Sequence, residues 1–294
     1  MDKKRVKIFT CHHKGDLIFQ NEIYEPIHGG KKISSINLNI PGDDTGINIS
    51  DKNQRYAELT VLYWIWKNKK YEEYDYVGLH HYRRYLDLYH SFKKYRFFLK
   101  NRIKNQLHEI FSKNKLYIKL RIKFFEIRKK KKEEKRRRGG LTLSQFKKLS
   151  SMRPKHLKKY FSEYEIIIPK KNHLFITIEE QYKKVHLSND LNILKEVLYE
   201  KYEKYIHIIE EFFDCHTINY FNIFIIKSEI FKHYCTWLFD ILFEVEKRLD
   251  FTNRDQDQVK ALGFMGERLL SLFLFFNKKK FKILELPLVS IRKD

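Results

Sequence analysis

The sequence predicts an α/β domain with a mainly parallel sheet flanked by helices, and three observations support this fold class. Short apolar runs that are typical of buried strands occur at residues 6–11, 164–169 and 220–226. Longer segments between them repeat apolar residues at intervals of three and four, as helices do. Hydrophobic residues make up 43% of the 294 residues, which is enough for a sizeable core. Strands that alternate with helices usually form a parallel sheet covered on both faces.

The remaining elements follow from the same patterns. A strand is predicted to start near residue 74, and residues 23–27 are either a strand or a loop. Helices are predicted over residues 54–68, 178–185, 190–205, 230–249 and 255–277. Glycine and aspartate at 41–46 indicate a loop, after which Ser50 or Asp51 is expected to cap the helix 54–68.

The basic charge of the chain is concentrated in one segment. The net charge is +23, but residues 93–160 contain 26 basic and only 4 acidic residues. We therefore predict one domain formed by residues 1–92 and 151–294, with a basic, largely helical insertion at 93–150. A basic amphipathic segment favours contact with an anionic membrane surface, here through residues 93–148. The rival class is a nucleic-acid-binding protein, because aromatic residues alternate with the basic ones. We expect no nucleic acid, since the rest of the chain is nearly neutral.

Cysteine usage and hydropathy indicate the cellular compartment of the protein. Cys11, Cys215 and Cys235 are scattered without metal-ligand spacing, which is typical of a reduced cytoplasm. The sequence contains no run of about 18 apolar residues, so no membrane span is predicted, and the first residues do not resemble a signal peptide. We expect a cytoplasmic protein.

Residues 74–85 are the most informative stretch. An apolar strand leads into His80, His81, Tyr82, Arg83 and Arg84. Two adjacent guanidinium groups offer forked donors that match a diphosphate. Strand alternation predicts that His81 and Arg83 point to one face and the other three to the opposite face. The alternative is that one face packs and the other is solvated, with the arginines paired to Glu72, Glu73 or Asp87.

A second polar group follows the first strand. Thr10, His12 and His13 lie where open α/β sheets bind ligands, beyond the carboxyl ends of strands. Their side chains suit a nucleotide base and ribose. His28 and Gly29 would let the backbone approach such a ligand closely. Simple polar turns are the alternative for both segments.

Carboxylates near the last helix suit proton transfer. Transfer of a group to a hydroxyl needs a base, and Glu267 or Asp255 is the candidate. Arg268 beside Glu267, and Asn222 within an apolar strand, are candidate contacts to a sugar. The alternatives are a surface ion pair for Glu267 and Arg268, and backbone partners for Asn222.

No metal ligand set is predicted. Neighbouring histidines on a strand diverge, so they do not suit zinc. A divalent cation such as Mg²⁺ or Mn²⁺ is not predicted as a cofactor, although Asp43, Asp44 and Asp75 are carboxylates that such an ion would use.

Several segments together resemble a known family. They are PIHGG (26–30), GDDTG (42–46), ISDKN (49–53), ELT (58–60), YWIWKN (63–68), YDYVGLHHYRRY (74–85), YFNIF (220–224), YCTWLF (234–239) and GFMGERL (263–269). In order and spacing they resemble a bacterial family of capsular and exopolysaccharide biosynthesis proteins, long catalogued as a domain of unknown function. Some members are assigned as glycosyltransferases, including galactofuranosyltransferases. The resemblance implies a GT-A-like nucleotide-sugar fold and transfer of sugar to a growing glycan.

Together with the candidate residues, this resemblance gives a hypothesis for the function. A UDP-linked hexose or galactofuranose would be held by the groups around Thr10 and Arg83, and Asn222, Tyr63, Trp64 and Arg268 would shape the sugar and acceptor sites. The acceptor would be a lipid-linked oligosaccharide for capsule, exopolysaccharide or O-antigen, at the inner face of the plasma membrane. An inactive scaffold that binds UDP without transferring sugar is a third possibility.

Overall fold

The computed structural model describes residues 5–89, 141–151 and 155–293. Most of the predicted basic insertion, including any helical hairpin within it, lies outside the described residues. Residues 141–150, at its end, belong to the globular fold, since they form a strand and part of a helix.

The described elements run in the following order. The strands are β1 (Val6–His12), β2 (Tyr24–His28), β3 (Tyr76–His81), β4 (Arg84–Leu86), β5 (Leu141–Thr142), β6 (Ile166–Pro169), β7 (Asn172–His173), β8 (Thr217–Ile218), β9 (Phe224–Lys227), β10 (Ile283–Leu286) and β11 (Leu288–Arg292). The helices are α1 (Asn53–Tyr56), α2 (Leu59–Lys67), α3 (Leu143–Ser151), α4 (Lys155–Glu163), α5 (Ile178–Val185), α6 (Ser188–Lys201), α7 (Ile206–Phe213), α8 (Ser228–Arg248) and α9 (Ala261–Phe276).

The predicted mainly parallel sheet is confirmed. Its central part has the strand order β2, β1, β3, β9, β6, β10, and β9 runs antiparallel to both of its neighbours. The pairs β2–β1, β1–β3 and β6–β10 are all parallel. Beyond the end of β3, the strands β4, β11 and β5 extend the sheet, while β7 and β8 form a separate pair. The carboxyl ends of β1, β2 and β3 therefore meet at one edge.

An apolar core covers each face of the sheet. On the first, here named the α8 face, Phe9 and Leu79 pack with α2 and with helices α5 to α9. On the opposite α3 face, Ile8 and Tyr76 pack with α3, whose Phe146 is buried. Side chains alternate along β1 and β3, so Thr10, His12 and His80 follow Ile8 to the α3 face, and His81 follows Leu79 to the α8 face.

Two local expectations were wrong. The helix predicted at 54–68 is divided into α1 and α2, because Ala57 has a left-handed φ of 49°. Neither Ser50 nor Asp51 caps α1, because Ser50 lies in a short 3₁₀ turn and its hydroxyl donates to Asp43 at 2.6 Å. The Ser50 side chain therefore forms a tertiary hydrogen bond and does not cap α1.

The loop after β2 is fastened to α2 by one buried carboxylate. Asp43 accepts hydrogen bonds from the Gly30 and Lys31 N–H groups at 2.9 and 3.2 Å, and from the hydroxyls of Ser50 and Thr60. Gly30 has a φ of 68°, and a Cβ atom there would lie 2.5 Å from Asn53. This turn therefore needs glycine for both its conformation and its close packing.

Among the described helices, none has the length and apolar content needed to cross a lipid bilayer.

Candidate active site

A tight hairpin follows β3 and places an imidazole and a guanidinium side chain together. Tyr82 and Arg83 form the turn, and His81 pairs with Arg84 across the antiparallel β3–β4 ladder. Directly paired residues of such a ladder share a face, so His81 and Arg84 lie on the same side. The prediction that they point to opposite faces was wrong, because the chain reverses after His81 instead of continuing as a strand.

Phe221 forms the wall against which both side chains lie. The Arg84 guanidinium carbon is 4.4 Å from the centroid of the Phe221 ring, and the His81 ring is 6.3 Å from it. Phe221 and Asn222 have φ values of 83° and 46°, a conformation that non-glycine residues rarely adopt. The predicted strand at 220–226 therefore begins only at Phe224, and Asn222 lies in the turn before it. Strained turns of this kind concentrate at functional sites.

Glu58, which directly precedes α2, connects this turn to His81. Its Oε1 atom accepts a hydrogen bond from the Asn222 amide at 2.7 Å and lies 3.4 Å from Nε2 of His81. The second distance is long for a hydrogen bond, so this contact is weaker than the one to Asn222. Burial alone would raise the pKa of Glu58, but His81 and the Asn222 amide outweigh it and lower that pKa. Glu58 is therefore a carboxylate that stays ionised.

Glu267 is the second carboxyl group of the pocket. Its Oε1 atom accepts the Phe221 N–H at 2.8 Å, and its Oε2 atom lies 3.0 Å from Nη1 of Arg268. Burial raises the pKa of Glu267, and Glu58 adds to this, against the lowering effects of Arg268, the Phe221 N–H and His81. Two neighbouring carboxyl groups whose pKa values shift in opposite directions are typical of acid–base sites.

A cationic rim lies beside these groups. The His13 ring meets the Tyr82 ring edge-on at 4.8 Å, and the Arg83 guanidinium carbon is 5.3 Å from the centroid of the same ring. Burial and the charges of Lys14, His81, Arg83 and Lys260 lower the pKa of His13. Within the described ranges, Arg83 forms no ion pair with a carboxylate and is exposed. The rim is thus positively charged and open to an anion.

The other predicted nucleotide contacts lie on the α3 face of the same edge. Thr10, His12, His28 and His80 are all at most 1% exposed. The Thr10 hydroxyl is 2.9 Å from Nε2 of His12, whereas Nδ1 of His12 and both ring nitrogens of His28 have no hydrogen-bond partner among the described atoms. Burial, then His13 and His28, lower the pKa of His12 to about 4, so its ring is neutral at pH 7.

Three predicted site residues have contacts that serve packing of the fold. The Tyr63 ring packs within 5.0 to 5.8 Å of Phe239, Phe243 and Trp66 in the core. The Trp64 indole donates to the Thr45 hydroxyl at 3.0 Å. Gly29 is buried, and a Cβ atom on it would lie 2.7 Å from Sγ of Cys11. Neither aromatic residue is brought against His81 or Arg84 by any contact in the described part of the chain.

Asp255 has different surroundings from Glu267. It is exposed, and its carboxylate accepts the N–H groups of Asp257 and Gln258 at 2.9 and 2.7 Å. Those hydrogen bonds lower the pKa of Asp255. It lines a different cleft, which also contains Asp190 and Arg254.

The loop carboxylates have protein partners of their own. Asp43 accepts the four hydrogen bonds described above, and Asp75 accepts the Arg5 N–H at 2.7 Å. Over residues 5–89, 141–151 and 155–293, no group of three or more His, Cys, Asp or Glu side chains is arranged to hold a metal ion.

Sequence reasoning did not assign a role to Glu58, Phe221 or Lys260. In the sequence, Glu58 was an isolated acidic residue within the helix predicted at 54–68 and the first residue of the ELT segment of the family resemblance. Its importance comes from Asn222, which is 164 residues away in the chain.

The comparisons with known proteins agree with this architecture. Residues 7–279 match the family described as Domain of unknown function (DUF4422), and the chain belongs to that family. No curated protein matches the sequence. The apo structure of the WbbM bifunctional glycosyltransferase is similar, with a TM-score of 0.76 and 26% sequence identity. The similarity covers 98% of this chain but only 45% of that one. The fold is therefore GT-A-like, as the resemblance implied.

Proposed function

We propose that this protein is a glycosyltransferase that moves a sugar from a nucleotide-diphosphate donor to a hydroxyl of a glycan. One observation carries the proposal: the β3–β4 hairpin places His81 and Arg84 together against Phe221, beside two carboxyl groups, at the carboxyl edge of β1 and β3. That edge is where open α/β sheets bind ligands. The similarity to a glycosyltransferase over nearly the whole chain supports the same class.

The donor diphosphate would lie on the cationic rim. Arg83, Arg84 and His13 lie at or beside the turn, and the charge of Lys260 also acts on His13. Fixed cations aimed at a departing diphosphate stabilise its growing charge without reorganisation, as oxyanion donors do. We keep Thr10, His12 and His28 as the proposed nucleoside contacts because the ring nitrogens of His12 and His28 are unpartnered among the described atoms, although all three side chains are buried on the α3 face.

The two carboxyl groups would have different roles. Glu267, whose pKa is raised by burial, is the group we assign as acceptor of the hydroxyl proton. Glu58 stays ionised and holds His81 and Asn222 in place. Arg268 holds Glu267 through its Nη1 atom and donates to Gln181 at 2.7 Å, so it orients the base.

The finer assignment follows the family resemblance. We propose a UDP-linked hexose or galactofuranose as donor and a lipid-linked capsular, exopolysaccharide or O-antigen glycan as acceptor. Such acceptors are built at the inner face of the plasma membrane, and the basic residues 93–148 would attach the protein to that anionic surface. Deletion of residues 93–148 should abolish salt-sensitive binding to anionic liposomes, and retained binding would refute this attachment.

The test of the function uses the exposed arginine. Wild type should bind UDP in calorimetry, with or without a chelator, and should turn over a member of a UDP-sugar panel. Arg83→Ala should reduce that turnover by about 10²-fold, because it removes a fixed cation from the leaving group. Arg83→Lys should recover part of it, since the charge returns without the planar fork.

Arg292→Ala is the matched control, because Arg292 is exposed at the end of β11. Its turnover should equal that of wild type. Near-normal turnover in Arg83→Ala would refute the diphosphate clamp. UDP binding without turnover of any donor in the panel would identify an inactive scaffold, and salt-sensitive RNA binding without UDP binding would favour the nucleic-acid class.

A further inference from the structure

A polar cleft opens between the start of α6 and the segment that follows α8. Its volume is about 480 Å³, within the range of small-molecule sites. It is lined by Leu187, Ser188, Asn189, Asp190, Asp250, Thr252, Asn253, Arg254, Asp255 and Gln258. We refer to it as the α6 cleft.

Buried, mutually fixed side chains form its floor. Arg254 donates to both carboxylate oxygens of Asp190 at 2.6 and 2.8 Å, and these side chains are only 6% and 2% exposed. Phe251 lies between two guanidinium groups, 4.8 Å from that of Arg254 and 4.2 Å from that of Arg55. A fork-to-fork pair of this kind has little freedom to move. The α6 cleft is therefore a preformed cavity.

Unpartnered polar atoms lie near the Asp190–Arg254 pair, on side chains that do not themselves line the cleft. Tyr182 is fully buried, its hydroxyl has no partner among the described atoms, and it is close enough to Asp190 and Arg254 for their charges to act on it. Nε of the buried Arg268 is also without a partner in the described structure, and the His186 ring lies close enough to Gln258 to interact with it. Buried polar groups normally have partners, so this cluster beside the cleft has hydrogen-bonding capacity that the described side chains leave unused.

The same cluster joins the cleft to the proposed base. Arg268 lies 5.1 Å from the Tyr182 ring centroid and holds Glu267 at 3.0 Å. His186 stacks on Phe264 with 4.1 Å between ring centroids, and Phe264 precedes Glu267 by less than one helical turn in α9. Tyr182 and Arg268 thus connect the surroundings of the Asp190–Arg254 pair to the carboxyl group that would accept the proton.

We propose that the α6 cleft binds a neutral hexose residue of the acceptor glycan, an inference that rests on the proposed function. The cleft combines hydroxyl, amide and carboxylate groups, which match the donors and acceptors of sugar hydroxyls. Asp190 and Arg254 neutralise each other, and the remaining carboxylates of the lining, Asp250 and Asp255, disfavour an anionic ligand. Leu187 at the rim is 44% exposed and offers an apolar surface to the carbon face of a sugar ring.

The test measures saturation transfer by NMR to a mixture of methyl glycosides of glucose, galactose, mannose, N-acetylglucosamine and rhamnose. Wild type should transfer saturation to at least one of them. Asn189→Trp, which fills the rim of the α6 cleft, should reduce this signal at least tenfold. Asn192→Trp is the matched control, because Asn192 is exposed on the same helix outside the cleft, and its signal should stay at the wild-type level.

UDP calorimetry and thermal melting accompany each sample. UDP binding and melting should be unchanged in both variants, which shows that the fold and donor site are intact. No transfer to any glycoside from wild type, or equal transfer from Asn189→Trp, would overturn the inference. Absence of UDP binding by wild type would instead overturn the proposed function, so the two failures are distinguishable.

Discussion

His80 provides a quantitative test of how the residues 80–84 are divided between core and site. It is fully buried on the α3 face, with the Tyr24 and Tyr85 rings at 6.1 and 5.5 Å between centroids. Neither of its ring nitrogens has a partner among the described atoms. Burial, with a smaller effect of His81, lowers the pKa of His80 from 6.5 to about 3. His80 is therefore a neutral core residue in the native state.

The direction of the pH effect follows from this difference. In the unfolded chain, the imidazole takes up a proton below about pH 6.5, whereas the buried ring does not until about pH 3. The stability contributed by the neutral ring is complete above pH 6.5 and is lost as the pH falls towards 3. At pH 5, the loss from His80 alone is about 2 kcal/mol, because each unit below 6.5 costs about 1.4 kcal/mol.

The perturbation is His80→Phe, which keeps a planar ring and removes the titration. The free energy of unfolding is measured by urea denaturation at pH 7.5 and pH 5 for wild type and variant. Any packing cost of the phenyl ring is the same at both pH values, so it cancels in the difference. The variant should lose about 2 kcal/mol less than wild type between the two pH values.

His233→Phe is the control, because His233 is exposed on α8, and its pH dependence should equal that of wild type. A His80→Phe variant that loses as much stability as wild type between pH 7.5 and pH 5 would refute the assignment of His80 to the core.

Two further predictions concern the carboxylates of the site and its supporting loop. Glu58→Gln should lower turnover of an accepted UDP-sugar by about 10-fold to 100-fold and leave UDP affinity little changed. The reason is that a charge-assisted contact to His81 and Asn222 is worth about 1.5–3 kcal/mol. Equal losses in turnover and UDP affinity would contradict a positioning role. Asp43→Ala should lower the free energy of unfolding by about 2–4 kcal/mol in urea denaturation, since several buried donors lose their acceptor. The control is Asp44→Ala, because among the described residues the Asp44 carboxylate is in an ion pair only with Lys31, at 3.9 Å. This variant should stay within about 0.5 kcal/mol of wild type, and similar losses for both variants would argue against Asp43 as the fastening residue.

Local sequence patterns were sufficient for the elements with strong periodicity. The helix predicted at 230–249 corresponds to α8 (Ser228–Arg248), and the helix predicted at 178–185 corresponds to α5. The strand at 164–169 contains β6, and the strand that leads into His80 is β3. In these segments, the apolar residues that recur with the period of a helix or strand are also the residues that are buried. Neighbouring residues alone therefore indicate the conformation.

The polar residues of the site were recognised in part for the same reason. A run of imidazole, phenol and guanidinium groups at a strand end is visible without any tertiary information, and so is a lone amide such as Asn222 among apolar residues. What that run could not indicate was the reversal at Tyr82 and Arg83, because the turn depends on the pairing of β4 with β11 near the end of the chain.

The sequence by itself determined the α/β class, the strong helices and strands, and the chemical types present at residues 80–84. Tertiary structure alone decided which of those groups share a pocket. It buried His80 among tyrosines, turned Arg84 to the side of His81, and joined Glu58 to Asn222 across 164 residues. The physical reason is that side-chain period is a property of neighbouring residues, whereas the electrostatic environment of a carboxyl group or imidazole depends on every element packed against it.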